Sequence, residues 1–240
     1  MYRFFAIRLD DTRAQLPEEE TQHALKVLRM RPGDVCQALT DGEIFDAVLE
    51  ETAAPARVIL RLGEKLPSPE PQVRVTLYQG LPKGDKMDYV VQKCTEAGVF
   101  RIVPVRFSRC VAAWTDKDEE KKRLRFQRIA AEAAKQSGRA IIPEIGLPLT
   151  VGQLCDEIKA YDLALVPWEE ERGNGIRGKW QGQKNVAIVI GPEGGISPEE
   201  MAQMQAAGAV PVTLGPRIFR TETAGLAAAI SLLTLSGDLE

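Results

Sequence analysis

Residues 186–200 read VAIVIGPEGGISPEE, and three local rules act on them in turn. The run 186–190 is continuously apolar and β-branched, the composition of a strand buried on both faces. It breaks at Gly191-Pro192. A helix then starts with strong signals: Ser197 as N-cap, Pro198 at the first helical position, and Glu200 three residues on to complete a capping box. Residues 191–196 are therefore a tight loop from a strand's C-terminal end to a helix N-terminus, the place where open α/β sheets receive ligands. The common phosphate fingerprints are absent: no G-x-x-x-x-G-K-[ST] occurs, and no G-x-G-x-x-G follows a strand. Glu193 would repel a phosphate, and no basic neighbour in the sequence offsets it. On this loop alone, a glycine turn that only joins two elements remains open.

Working outward, strand and helix alternate along most of the chain. VRVTLYQG predicts a strand, KMDYVVQKCTEAG a helix ending on Gly98, and RIVPVRFS a second strand. KDEEKKRLRFQRIAAEAAKQSG predicts a long helix, AIIPEI a short strand, TVGQLCDEIKA a helix and YDLALVPW a strand. After the opening stretch come AVPVTLG as a strand and TAGLAAAISLLTLSG as the last helix. The pattern is a mostly parallel sheet covered by helices on both faces. Residues before it differ: YRFFAIRL, EIFDAVLEE and RVILRLGEKL are strand-like pieces around one helix, EEETQHALKVLRM, stopped by Pro32-Gly33. Between the two regions lies LPSPEPQ, 66–72, with three prolines in seven residues. The expected domains are 1–70 and 71–240.

The 240 residues are 44% hydrophobic and 27% charged, with no apolar run near the roughly 20 residues a membrane span needs and no signal-peptide core at MYRFFAIRLD. A cytoplasmic protein without membrane partners is expected. Four scattered cysteines, Cys36, Cys94, Cys110 and Cys155, form no C-x-x-C pair and read as buried thiols. His23 is the single histidine, which argues against a Ser-His-Asp triad or a histidine metal centre. No metal is expected. Net charge is −3 overall but uneven: −4 over 1–73, +7 over 74–139 and −6 over 140–240. A phosphate backbone senses local field within a Debye length of about 8 Å, so the middle third could face nucleic acid. A solvated helix face explains part of the same excess.

Two further strand ends are unusual. LALVPWEE breaks at 166–168, and VTLGPRIFRTETAG breaks at 214–216 before an almost wholly apolar helix. Both suit a snug apolar pocket lined by main-chain groups. Charged Arg217, Arg220 and Glu222 placed before a buried helix are costly unless paired or used. Capping by Thr221 or Thr223 is the plain alternative, and it is compatible with a functional role.

VIGPEGGISPEE, LGPRIFRTETAG, LVPW and LPKGDKMDYVVQKCTEAGV together resemble the SPOUT methyltransferases, and within them the bacterial RsmE family. YRFF, HALKVLRMRPGD, the Asp-Gly before IFDAVL and the helix RLRFQRIAAEAAKQSGR extend the resemblance over nearly the whole chain. Phe219 departs from it where a leucine-like residue is expected. The resemblance implies an α/β SPOUT fold whose mostly parallel sheet carries a C-terminal trefoil knot, plus an N-terminal PUA-like β-barrel that grips RNA. It implies S-adenosylmethionine as cofactor, a homodimer, and methylation of N3 of a uridine in 16S rRNA of the small ribosomal subunit, with rRNA, within the 30S subunit, as partner. A cofactor with a cationic sulfonium and no phosphate makes Glu193 tolerable. Cofactor contacts are then expected from Val166, Pro167, Ile190, Gly191, Pro192, Glu193, Gly194, Gly195, Leu214, Gly215, Ile218, Thr223 and Ala224. Arg220 is the expected catalytic residue, stabilising charge on uracil oxygen, with Glu222 as the base or as a partner of Arg220. RNA contacts are expected from Arg3, Arg8, Lys26, Arg29 and Arg31, and from Lys83, Lys86, Lys135 and Arg139; His23 is either an RNA contact or a half-buried helix residue. Ribose 2′-O-methylation of tRNA or rRNA, and a non-catalytic RNA-binding assembly factor, are the alternatives.

Overall fold

A computed structural model describes residues 1–53, 57–111, 114 and 116–239. The chain divides into two compact units, Met1–Glu70 with Lys135–Ile141, and Pro71–Ala134 with Ile142–Glu240.

The first unit contains strands β1 (Arg3–Phe5), β2 (Ile7–Arg8) and β3 (Arg13–Gln15), helix α1 (Glu18–Gln22), and strands β4 (Val35–Thr40), β5 (Glu43–Ala53) and β6 (Arg57–Leu66). Their order in the sheet is β1-β4-β5-β6-β3-β2, antiparallel except for β1 with β4. The two outer strands are consecutive pieces of chain separated by Ala6 alone. The sheet therefore curls until both its edges meet on one strand, the closure that removes free edges from a small barrel. Phe4, Leu16, Leu49, Val58 and Leu60 fill it. The expected helix over 18–30 is shorter: α1 passes into one π-helical turn, His23–Val27, and Arg29 takes a left-handed φ of 56°.

A division at residue 70 alone leaves out the segment 135–141. Glu70 explains its placement. Its carboxylate accepts the backbone N–H groups of Ala140 and Ile141 at 2.7 and 3.0 Å and pairs with Arg139 Nη2 at 2.6 Å. Those N–H groups are thereby withdrawn from any ladder, so of the strand expected over 140–145 only Glu144–Ile145 forms.

The second unit contains β7 (Arg74–Gly80), α2 (Lys86–Glu96), β8 (Arg101–Arg106), α3 (Asp116–Ser137, its last turn belonging to the first unit), β9 (Glu144–Ile145), β10 (Leu149–Thr150), α4 (Val151–Ile158), β11 (Leu163–Pro167), β12 (Asn185–Ile190), α5 (Pro198–Ala206), β13 (Ala209–Val212) and α6 (Thr221–Leu235). All pairings are parallel, in the order β10-β8-β7-β12-β11-β13, with β9 also on β8. Alternate residues of the same strands enter different cores. Val75, Leu77, Ile188 and Ile190 pack with α2, α3 and α6, whereas Tyr78, Val103, Val166 and Val189 pack with α4 and α5. Burial on both faces is why these strands read as unbroken apolar runs. The late strand β12 lies between β7 and β11, so the C-terminal ends of β7 and β12 lie side by side.

Candidate functional site

The site is built where β7, β11 and β12 end. Loop 191–195 leaves β12 beside Gly80, the last residue of β7. A Cβ on Gly80 would stand 2.5 Å from Pro192 N, and one on Gly191 would stand 2.7 Å from Ile196 Cγ1. These glycines admit protein backbone and side chain, not only ligand. Gly195 takes a φ of 74°, which an L side chain rarely adopts. The capping box forms as expected: Ser197 Oγ accepts from Glu200 N at 3.2 Å, and Glu200 Oε2 accepts from Ser197 N at 3.1 Å. Glu200 Oε1 also accepts the Ser108 N–H at 2.6 Å, which draws the segment after β8 over the loop. Arg109, which the sequence did not single out, lies against Gly194 there and donates to its carbonyl at 3.4 Å.

The start of α6 corrects the capping expectation. Arg220 is the N-cap and makes no side-chain capping bond. Thr221 turns inward instead: its Oγ donates to Gly191 O at 2.7 Å and accepts from Gln79 Nε2 at 2.9 Å. Gln79 is fully buried on β7, and its Oε1 has no hydrogen-bond partner among the described residues. A relay from strand through helix start to loop thus holds the two functional loops together. Nothing in the local sequence around Gln79 signals it, because Thr221 lies 142 residues away.

Between these loops lies a cavity of about 490 Å³, within the range of about 300–1,000 Å³ common for small-molecule sites. Pro167, Ile190, Gly191, Pro192, Glu193, Gly194 and Gly195 form one side of it. Ile218, Arg220, Glu222 and Ala224 form the other, with Lys86 and Glu169 at the rim. A smaller hollow of about 90 Å³ adjoins it and shares Pro167, Ile218 and Ala224 while adding Leu214 and Gly215. Two expected cofactor contacts line neither space. The Val166 side chain is buried in the core against α4 and α5, which leaves the contact expected of its main-chain groups untouched, and Thr223 donates its hydroxyl to Arg220 O at 3.1 Å. Ile218 is 85% exposed. It lines both spaces, so its apolar side chain would meet a ligand held there.

Glu193 does have a cation, contrary to the sequence expectation. Lys86 Nζ lies 3.0 Å from Glu193 Oε1 and 3.2 Å from Glu222 Oε2. Burial raises the Glu193 pKa, but the Lys83 N–H and the Lys86 ammonium outweigh it and hold the carboxyl below its ordinary range. Glu193 and Glu222 raise that of Lys86. The expected pairing of Glu222 with Arg220 is replaced by this one with Lys86.

The expected RNA contacts separate into two groups. Lys26, Arg29 and Arg31 on the first unit, and Lys83 on the second, are exposed. Arg139 is buried against Glu70, Lys135 pairs with Glu20, and Arg8 pairs with Glu43 and Asp11. Arg3 is exposed but donates to Gln37 and to Gly138 O. Two cations of the positive middle third, Lys135 and Arg139, are thus held by acids outside it, and Arg139 in particular is a structural cation. His23 is exposed, with its ring edge-on to Phe4.

Known families partition the chain in two. An RNA methyltransferase PUA domain matches residues 16–62, and an RNA methyltransferase domain matches 68–233, more than half of the chain. Fold, pocket and both matches define an enzyme of the RNA methyltransferase class. Similarity extends to whole proteins. The chain is 34% identical over 259 residues to the ribosomal RNA small subunit methyltransferase E of Bacillus subtilis, covering 99% of this chain and 100% of that one. It is 34% identical to the protein of the same name from Mycobacterium tuberculosis, covering 98% and 93%. The crystal structure of the Neisseria gonorrhoeae ribosomal RNA small subunit methyltransferase E, bound to S-adenosyl methionine, superposes with a TM-score of 0.81 at 30% identity, covering 98% of each chain. The chain belongs to the ribosomal RNA small subunit methyltransferase E family.

Proposed function

We propose that this chain transfers a methyl group from S-adenosylmethionine to N3 of a uridine in 16S rRNA, acting as a homodimer on the 30S subunit. One observation carries the reading: the relay Gln79–Thr221–Gly191 closes two ligand-facing loops around a cavity with an arginine, Arg220, at its edge. The donor set fits the cofactor. Main-chain groups and apolar walls at Pro167, Ile190 and Leu214 suit an adenosine without phosphates, and the carboxylates of Glu193, Glu222 and Glu169 suit its cationic end. When bound, S-adenosylmethionine supplies an electrophilic methyl group and departs as a neutral thioether.

The protein's part is orientation and charge. N3 must lose its proton before its lone pair can attack the methyl group; the anion so formed carries negative charge on the uracil oxygens until the new N–C bond neutralises it. Arg220, exposed at the start of α6, is the cation placed to receive that charge. Glu222, in the first turn of the helix, is the carboxylate that would take the proton, which would then pass to water. A C-terminal trefoil knot accords with β12 lying between β7 and β11 and with α6 packing across β7, β12 and the 3-10 turn Ile176–Gly178. A dimer through α6 accords with its incompletely covered stripe of Ala227, Ile230 and Thr234, on a helix apolar nearly all round.

The test is methyl transfer from labelled S-adenosylmethionine to unmodified 30S subunits and to naked 16S rRNA, with the modified nucleotide mapped by mass spectrometry. A 3-methyluridine in 30S substrate is the expected product; a ribose-methylated nucleotide or no transfer would overturn the reading. Arg220→Ala should lower kcat by about 10²–10³, the loss typical of removing one charge-stabilising donor, while calorimetric binding of S-adenosylmethionine persists. Full activity in that variant would remove Arg220 from the mechanism.

A further inference from the structure

Lys86 occupies a position its own helix disfavours. It opens α2, where a cation meets the positive end of the helix dipole, and the N-cap before it, Asp85, makes no side-chain capping bond. Its partners lie elsewhere in the chain. Nζ reaches Glu193 on the loop after β12 and Glu222 in the first turn of α6, at 3.0 and 3.2 Å. The Lys83 N–H donates to the same Glu193 oxygen at 3.0 Å. A single ammonium thus joins two carboxylates that arise on opposite walls of the cavity and would repel each other without it.

Building on the methyl-transfer reading, we propose that Lys86 is a positioning residue. It clasps loop 191–195 to the start of α6 and so fixes Glu222, and Arg220 beside it, at the mouth of the cavity. This reassigns Lys86 from the phosphate contact that its sequence neighbourhood suggested. An ammonium offers three N–H donors; here one donates to Glu193 Oε1, and Glu222 Oε2 is held by charge at 3.2 Å. A phosphate approaching Nζ would meet both of those anions first. The clasp complements the Thr221–Gly191 bond: that bond joins the same two segments through a buried neutral contact, and Lys86 joins them at the half-exposed rim.

The two roles give different data. The protein and its Lys86→Met, Lys86→Arg, Glu193→Gln and Lys86→Met/Glu193→Gln variants would be compared in three measurements. These are calorimetric affinity for S-adenosylmethionine without RNA, kcat and KM for 30S substrate, and RNA affinity as a function of salt. Lys86→Met should weaken S-adenosylmethionine binding and lower kcat by about 10- to 100-fold, as expected for misplaced reacting groups. KM for RNA and the salt slope should be unchanged, and Lys86→Arg should recover most of the loss. In the double variant, removing one repelling carboxylate should restore cofactor affinity partway, a coupling that independent sites do not show. If Lys86→Met fails to fold, Glu193→Gln, which opens the clasp from its other side, should still lower cofactor affinity. The assignment is overturned if Lys86→Met behaves as wild type. It is also overturned if that variant loses RNA affinity and about one unit of salt slope with cofactor binding intact. A wild-type protein that binds no S-adenosylmethionine would instead overturn the methyl-transfer reading itself.

Discussion

Thr221 combines two tasks that its sequence position would assign to different residues. It begins a helix, and its hydroxyl is spent on the carbonyl of Gly191 rather than on a free N–H of the helix start. Gln79 is fully buried and Gly191 partly so, and losing the hydroxyl leaves a half-buried acceptor and weakens the hold on the Gln79 amide. Leaving a buried polar group unmet costs about 1–3 kcal/mol. Thr221→Val keeps the shape and removes the hydroxyl. It should lower the urea midpoint by that free energy divided by the denaturant slope, the slope itself being unchanged because the surface exposed on unfolding is the same. Thr221→Ser, which keeps the hydroxyl, should stay close to wild type. A valine variant as stable as the serine one would mean that Gly191 O finds another donor. The chemistry of single residues also explains the quiet cysteines: burial pushes the thiols of Cys36 and Cys94 up to about 11 and about 12, so neither is a nucleophile at neutral pH.

Among the elements, the meeting of β7 with loop 191–195 is the tightest contact at the site. Gly80 has an ordinary backbone conformation, so its requirement is space: an added Cβ would come within 2.5 Å of Pro192 N and 2.7 Å of Gly191 C. Backbone atoms cannot rotate away as side-chain ends do. Gly80→Ala should therefore push the loop off β7, costing roughly 1–3 kcal/mol and lowering S-adenosylmethionine affinity in calorimetry. Gly178→Ala, with no atom within 4 Å of the new methyl, is the control and should change neither. The strands and helices around this contact were legible in the sequence because each rests on local rules. The Ser197 capping box, the doubly buried strands and the left-handed Gly98 follow from neighbours within a few residues. What was not legible depends on pairs far apart in the chain. Glu193 looked unpartnered because Lys86 is 107 residues away. The barrel closes through Ala6 because β4 and β3 present edges to the two halves of one strand. In sequence Thr221 has the position of a cap, and only the fold brings Gln79 and Gly191 beside its hydroxyl. Arg139, a reasonable RNA contact by charge alone, is claimed by a glutamate at the far end of a proline-rich linker.

For the molecule as a whole, the net charge of a segment does not say which of its cations are free to meet a phosphate. Residues 74–139 carry the net +7, and within the second unit Arg101 is held by Glu157 from outside that segment, whereas Arg106, Arg123 and Arg125 pair with Glu119, Glu120 and Asp88, acids the tally already counts. The first unit is net acidic, yet it exposes Lys26, Arg29 and Arg31 along the π-helical turn and the left-handed residue that follows it. Such irregular helical turns are costly to keep and recur at functional sites. Exposed cations on a folded surface release counterions when they meet phosphates, so each contact adds about 0.7–0.9 to the slope of log affinity against log salt. Replacing Lys26, Arg29 and Arg31 together with alanine should lower affinity for 16S rRNA and reduce that slope by about 2–3. S-adenosylmethionine binding by the same variant should match wild type, because no residue of the cavity is altered. An unchanged slope would place the RNA contacts elsewhere, and Lys83 and Arg109 on the second unit would be the next cations to remove.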